Sequence, residues 1–237
     1  MKKTIALVLV LALVFTMFAG CGGGDDKVIK IGVFEPASGD NGAGGKQEAL
    51  GIQYANEETP TIELNGETYT IELVQVDNES DPSKGITAAE TLVSKGCSIV
   101  LGTYGSAVAI AAGPTFDKAG IPALGVTCTN PQVTAAANYF RICFLDPFQG
   151  TVLANYAWDN GSTKAYCLSK MGDDYSVGLV NYFSKAFKEL GGTVVEEQFE
   201  QGNSDFAAYV ANAKKAGCDV FFSPVSTEAA ALIINQA

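Results

Sequence analysis

Small hydroxyl residues stand at the ends of two short apolar segments in the middle of the chain, where they could hold a small charged molecule. The segments read as strands over 98–102 and 121–126, joined by an Ala-rich helix predicted from about Ser106 to Ala119. Ser106 follows the first strand; Thr127 and Thr129 follow the second. In a parallel β-α-β unit both strand ends open on the same side of the sheet, where open α/β sheets bind their ligands. Ser106 falls where a helix begins, so unpaired backbone N–H groups and the positive end of the helix dipole face that same place. Such a site favours a small anion, typically a carboxylate. The plainer alternative is that these Ser and Thr residues only cap helices in a generic doubly wound domain.

Other chemistries fit poorly. The 237 residues contain no histidine, which removes His-based acid–base catalysis, Ser-His-Asp triads and every zinc pattern containing His. Asn41-Gly42-Ala43-Gly44-Gly45, after a first strand predicted over 28–34, invites a dinucleotide reading. Gln47 stands where the third Gly of G-x-G-x-x-G belongs, and Asp77 lies beyond the usual spacing of about 20 residues to the ribose-binding acid. A nucleotide-dependent α/β enzyme is therefore only the runner-up. Asp173 and Asp174 lack a third ligand at useful spacing and read as a solvated loop before a helix.

The elements around these residues alternate. A Gly-rich loop to Gly45 precedes a helix predicted from about Lys46 to Glu57. Asn65-Gly66 between 61–64 and 68–76 signals a hairpin, because a type I′ turn needs positive φ at both central residues. Ser80 or Asp81 caps the next helix, with Pro82 in its first turn. After a strand over 139–144, Asp146-Pro147-Phe148-Gln149 reads as a helix start with Asp146 as N-cap. Strands over 164–169, 193–199 and 219–223 then alternate with helices over 175–190 and 206–216 and one from Thr227. Lys95-Gly96-Cys97 and Ala216-Gly217-Cys218 repeat one helix-end-to-strand pattern, a weak echo of two similar lobes.

The N-terminus and charge bound the setting. Lys2 and Lys3, an apolar run from Ile5 to Phe18, and Ala19-Gly20-Cys21 make a signal segment over 1–20, with Cys21 as the expected lipidated residue. Residues 21–27 read as a flexible tether. One acyl chain gives only marginal attachment, so a stable anchor takes more than one. Loss of Lys2 and Lys3 would move the net charge from −11 to −13. An acidic chain with Arg141 as its single arginine is a poor partner for nucleic acid. Five cysteines remain after Cys21, an odd number with no CxxC, and they read as small buried hydrophobes.

The block from Lys95 to Thr134 resembles the branched-chain amino-acid (Leu/Ile/Val) binding proteins, type I periplasmic binding proteins that feed ABC transporters. The likeness runs from about Val28 to the C-terminus through PASGDNGAGGKQEALGIQYA, DNESDPSKGITAAETLV, FRICFLDPFQG, MGDDYSVGL and CDVFFSPVSTEAAALIINQA, in that order. It implies an α/β fold of two doubly wound parallel-sheet lobes, 28–145 and 146–237, with the second incomplete: the final helical pattern runs to Ala237 without a stop signal. It implies an extracytoplasmic, lipid-anchored receptor that performs no chemistry, needs no cofactor and delivers an amino acid to an ABC permease. A sensory module without transport shares the same fold.

Residue by residue, the resemblance gives Ser106 and nearby N–H groups the ligand carboxylate, and the Thr127 carbonyl the ligand ammonium. Thr129 contacts both, and Cys128 lines the wall between them. Tyr104 and Gly105 line the side-chain pocket, while Tyr175 reaches over the ligand from the second lobe. Gly44 and Ser226 stand where the family often has aromatics, so side-chain preference is not inherited. The family's ammonium-binding acid falls after residue 237.

Overall fold

The computed structural model describes residues 27–237; the expected signal segment and Cys21 lie outside the described residues. Nine strands form two sheets among those residues. The first contains β1 (Val28–Val33), β2 (Thr61–Leu64), β3 (Glu67–Gln75), β4 (Ile99–Leu101), β5 (Ala123–Gly125) and β6 (Tyr139–Arg141), in the order β2-β3-β1-β4-β5-β6. All its pairings are parallel except the β2–β3 hairpin. Asn65 and Gly66 turn that hairpin with φ of 53° and 81°, as a type I′ turn requires. The second sheet is parallel, with β7 (Lys164–Lys170) between β8 (Thr193–Phe199) and β9 (Val220–Phe222).

Helices lie between the strands and after the last of them: α1 (Gly42–Glu58), α2 (Pro82–Ser94), α3 (Ser106–Ala119), α4 (Asp146–Asp159), α5 (Asp174–Glu189), α6 (Ala207–Ala216) and α7 (Thr227–Gln236). Asp81 caps α2 by accepting from the N–H groups of Ser83 and Lys84, with Pro82 in the first turn. The first core packs Phe34, Leu92, Val100, Val108, Phe116 and Tyr139. In the second half, β7 is covered on both faces. Ala165 and Cys167 meet Phe183 and Phe187, and Tyr166 and Leu168 meet Phe199 and Phe206. A strand buried on both faces needs a continuous apolar run, which β7 supplies.

Three expectations are corrected. Helix α1 begins at Gly42, four residues before Lys46, so the glycines form its first turn. That turn lies against the segment after β1: a Cβ on Gly45 would come within 2.3 Å of the Pro36 carbonyl oxygen. Close backbone approach offsets the roughly 1 kcal/mol that glycine costs in a helix. Asp146 is not the cap of α4; Leu145 takes that position and Asp146 is the first helical residue, its N–H donating to the Thr129 carbonyl at 3.1 Å. The strands flanking α3 are shorter than expected, three residues each. Among the five thiols in the described residues, Cys97, Cys128 and Cys167 are buried, while Cys143 and Cys218 are half-buried.

Candidate functional site

Strand β4 ends at Leu101 and β5 at Gly125, on the same edge of the first sheet, and their loops meet in a cleft of about 240 Å³. Tyr104, Gly105, Ser106, Thr127 and Thr129 line it from this side. Gln149, Asp173, Tyr175, Val225 and Ser226 face them from the second half of the chain. The volume falls below the ~300–1,000 Å³ of pockets for drug-sized ligands, as suits a small solute. A larger hollow of about 420 Å³ lies between α6, α7 and β9, walled mainly by apolar side chains such as Val210, Phe221 and Ile233. It lacks the convergent donors of the smaller cleft.

Gly105 is the N-cap of α3 and provides no side-chain cap. The first-turn N–H groups of α3 are therefore left for whatever enters the cleft. Ser106 is the first helical residue, nearly fully buried, and its Oγ accepts from the Asn130 N–H at 3.3 Å. Thr127 is exposed and donates through Oγ1 to Glu48 Oε1. Thr129 lines the cleft, yet its Oγ1 is buried and makes no hydrogen bond among the described residues. Both carboxylate oxygens of the fully buried Asp146 are likewise unpartnered. Burial pushes the Asp146 carboxyl up, and the positive charge of Arg141 pulls it part of the way back.

Cys128 does not line the cleft. Its side chain is fully buried in the first core, packed beneath Gly125, and its carbonyl is taken by Arg141 at 3.2 Å. Arg141 holds the whole loop: the same Nη1 reaches the Asn130 carbonyl at 2.7 Å, while Nη2 reaches the Pro131 carbonyl and Thr134 Oγ1 at 3.1 and 2.9 Å. Gly44 has a positive role as well. A Cβ there would lie 2.4 Å from the Tyr104 ring, so Tyr104 occupies the space that a side chain at position 44 would fill.

On the opposite wall the Tyr175 hydroxyl accepts from Gln149 Nε2 at 3.4 Å, and Ser226 Oγ caps α7 by accepting from the Ala229 N–H at 3.3 Å. Besides the Asp146 N–H bond to the Thr129 carbonyl, two side-chain contacts among the described residues bridge the halves. Asn130 Nδ2 donates to the Asp174 carbonyl at 2.8 Å, and Lys170 forms an ion pair with Asp40. Asn41, Cys143, Phe144, Gln149, Asp173 and Val225 are lining residues that the sequence reading missed. Phe144 and Gln149 lie in FRICFLDPFQG, so proximity to that segment was their available signal. Asp173 is no solvated loop residue: it is half-buried, lines the cleft and caps α5 by accepting from the Ser176 N–H at 3.1 Å.

A periodic array of parallel strands with a cleft at their ends is common to many folds, and comparison with known proteins narrows it. The model of the periplasmic binding protein family matches residues 28–237. This chain belongs to that family. A Leu/Ile/Val-binding protein homologue of Brucella suis is 32% identical over 240 aligned residues, covering 100% of this chain and 63% of the relative. The crystal structure of a leucine-binding protein from Thermotoga maritima is similar with a TM-score of 0.77 and 34% identity, over 81% of this chain and 55% of that one. A branched-chain amino-acid transporter substrate-binding protein from Streptococcus pneumoniae, solved in complex with isoleucine, gives a TM-score of 0.71 at 28% identity, over 82% of this chain and 56% of that one. The chain thus spans about three fifths of the length of these relatives, with the type I periplasmic-binding-protein fold. Among the described residues no group of acids and cysteines could hold a metal ion, and no helix is long and apolar enough to cross a membrane.

Proposed function

We propose that this chain is the ligand-binding part of an extracytoplasmic solute receptor of an ABC transporter, and that it closes on a free amino acid of branched-chain type or a close relative. The observation that carries this reading is the uncapped N-terminus of α3. Its free N–H groups open beside Ser106 into a small cleft between two α/β lobes, 28–145 and 146–237. An α-carboxylate there would accept from those N–H groups and sit at the positive end of the helix dipole. In this reading Ser106 and Thr129 contact the carboxylate, the Thr127 carbonyl and Thr129 contact the ammonium, and Tyr104, Gly105, Tyr175 and Ser226 shape the side-chain pocket.

Binding energy here does mechanical work. A ligand that touches both walls favours the closed form by the difference between its contacts in the closed and open states. The permease would then recognise the closed, loaded receptor. Lipid on Cys21 would keep that receptor at the membrane, and Cys21→Ser would release it. The names of the Brucella, Thermotoga and Streptococcus relatives support the ligand class. Isothermal calorimetry with the twenty amino acids tests it: branched-chain amino acids should bind and aspartate, glutamate and lysine should not. Binding of none of them would end this reading.

A further inference from the structure

Two carboxyl groups sit directly behind the cleft wall. Glu35 follows β1 and is fully buried; Glu48 lies on α1 and is half-buried, and the two carboxyls are near enough that the charge of Glu48 acts on Glu35. Each commits one oxygen to a residue of the wall. The Tyr104 N–H donates to Glu35 Oε2 at 2.8 Å, and the Thr127 hydroxyl donates to Glu48 Oε1. Each keeps one oxygen over. Glu35 Oε1 and Glu48 Oε2 are both buried and have no hydrogen-bond partner.

If both groups were ionised, two like charges would meet in a desolvated place with two orphaned acceptors, an arrangement that is costly on both counts. One proton between the leftover oxygens turns that contact into an O–H···O⁻ bond, which is short and strong because it is charge-assisted. It also removes both orphans and leaves a single negative charge on the pair. We propose that Glu35 and Glu48 share one proton in the folded protein at neutral pH, and that this pair is a positioning element locking Tyr104 and Thr127, from two different strand-end loops, into one rigid wall of the cleft.

The titration environment agrees with the geometry. Burial, with the charge of Glu48 added, pushes the Glu35 carboxyl up to about 10, and burial raises Glu48 as well. The other titratable groups that feel the pair are Cys128 and Cys143 from the loops after β5 and β6 and Tyr139 from β6. Burial pushes all three up, so they stay neutral at pH 7 and add no negative charge beside the pair. The sign of the linkage follows. The folded pair keeps a proton that the unfolded chain gives up near the ordinary glutamate value, so stability falls as pH rises from there toward about 10.

Glu35→Gln separates this from mere packing. Its amide donates permanently to Glu48 and still accepts from the Tyr104 N–H, so the fold should survive. The infrared spectrum of the wild type at pH 7 should show the C=O stretch of a protonated carboxylic acid, absent in Glu35→Gln. Between about pH 6 and about pH 10 the wild type should lose stability with one proton more of pH slope than the variant. Absence of the acid band together with parallel stability curves would overturn the shared proton. Should Glu35→Gln not fold, Glu48→Gln offers the same amide donor from the other side and is read in the same assays. The effect on the ligand rests on the amino-acid reading above: leucine affinity should be kept in Glu35→Gln and fall at least tenfold in Glu35→Ala. Equal affinities in Gln and Ala variants would refute the positioning role. If the wild type itself binds no amino acid, the proposed function fails, while infrared and stability still decide the proton.

Discussion

Replacing Asn130 with Asp isolates one contact that joins the two walls of the cleft. Asn130 does two jobs: Oδ1 accepts from the Gln132 N–H at 2.9 Å and caps the short helix over Pro131–Ala135, while Nδ2 donates across to the Asp174 carbonyl at 2.8 Å. Aspartate caps a helix about as well as asparagine, so the first job is retained. The second is reversed, because a carboxylate oxygen would then face a carbonyl oxygen. Loss of one hydrogen bond removes about 1 kcal/mol, and the acceptor–acceptor clash brings the total to about 1–2 kcal/mol. On the closure proposed above, that cost falls only on the closed form, since the contact would be lost when the lobes separate. A penalty of about 1–2 kcal/mol on the binding-competent state should weaken ligand binding by roughly 5–30-fold and leave the melting temperature of the unliganded protein nearly unchanged. Calorimetry with leucine measures the first and thermal unfolding the second, with small-angle scattering to report a more open unliganded shape. An affinity within about twofold of wild type and an unchanged scattering profile would refute the reasoning.

Further outcomes follow from other close contacts. Gly178→Ala places a Cβ 3.0 Å from Asn130 Nδ2, so it should push the same interface apart and weaken leucine binding without a matching loss of stability, again by calorimetry. Gly44→Ala should drive the Tyr104 ring from its place at a cost of about 1–3 kcal/mol and alter which amino acids bind, as read by a thermal-shift screen. Arg141→Lys keeps the charge but loses the fork that spans three carbonyls and Thr134; chemical denaturation should show a loss of about 2–3 kcal/mol. Burial alone would raise the Asp219 carboxyl, yet hydrogen bonds from Thr163 and Lys164 hold it below its ordinary value. Its stabilisation is therefore present above pH 4 or so and lost on acidification, and Asp219→Asn should flatten that part of the stability–pH curve.

What the sequence determined by itself is local or follows from chain order. Asn65-Gly66 makes its hairpin because positive φ is intrinsic to those residues, and Asp81-Pro82 starts its helix because the cap bonds reach only two and three residues on. The meeting of Ser106 with Thr127 and Thr129 was also legible, since two parallel strands joined by one helix must open on the same edge. Tertiary structure decided the rest. Asp146 had the pattern of a helix cap, but its side chain turns inward and Leu145 takes the cap, a choice made by packing against Thr129 rather than by local propensity. Cys128 lies between two hydroxyl residues that line the cleft or its rim, yet its thiol packs beneath Gly125 into the core. Glu35 and Glu48 are thirteen positions apart on a strand end and a helix, and nothing in either segment announces the other. Only the docking of α1 beside the β4 and β5 loops places two acids in one dry space, where burial and mutual repulsion set their protonation.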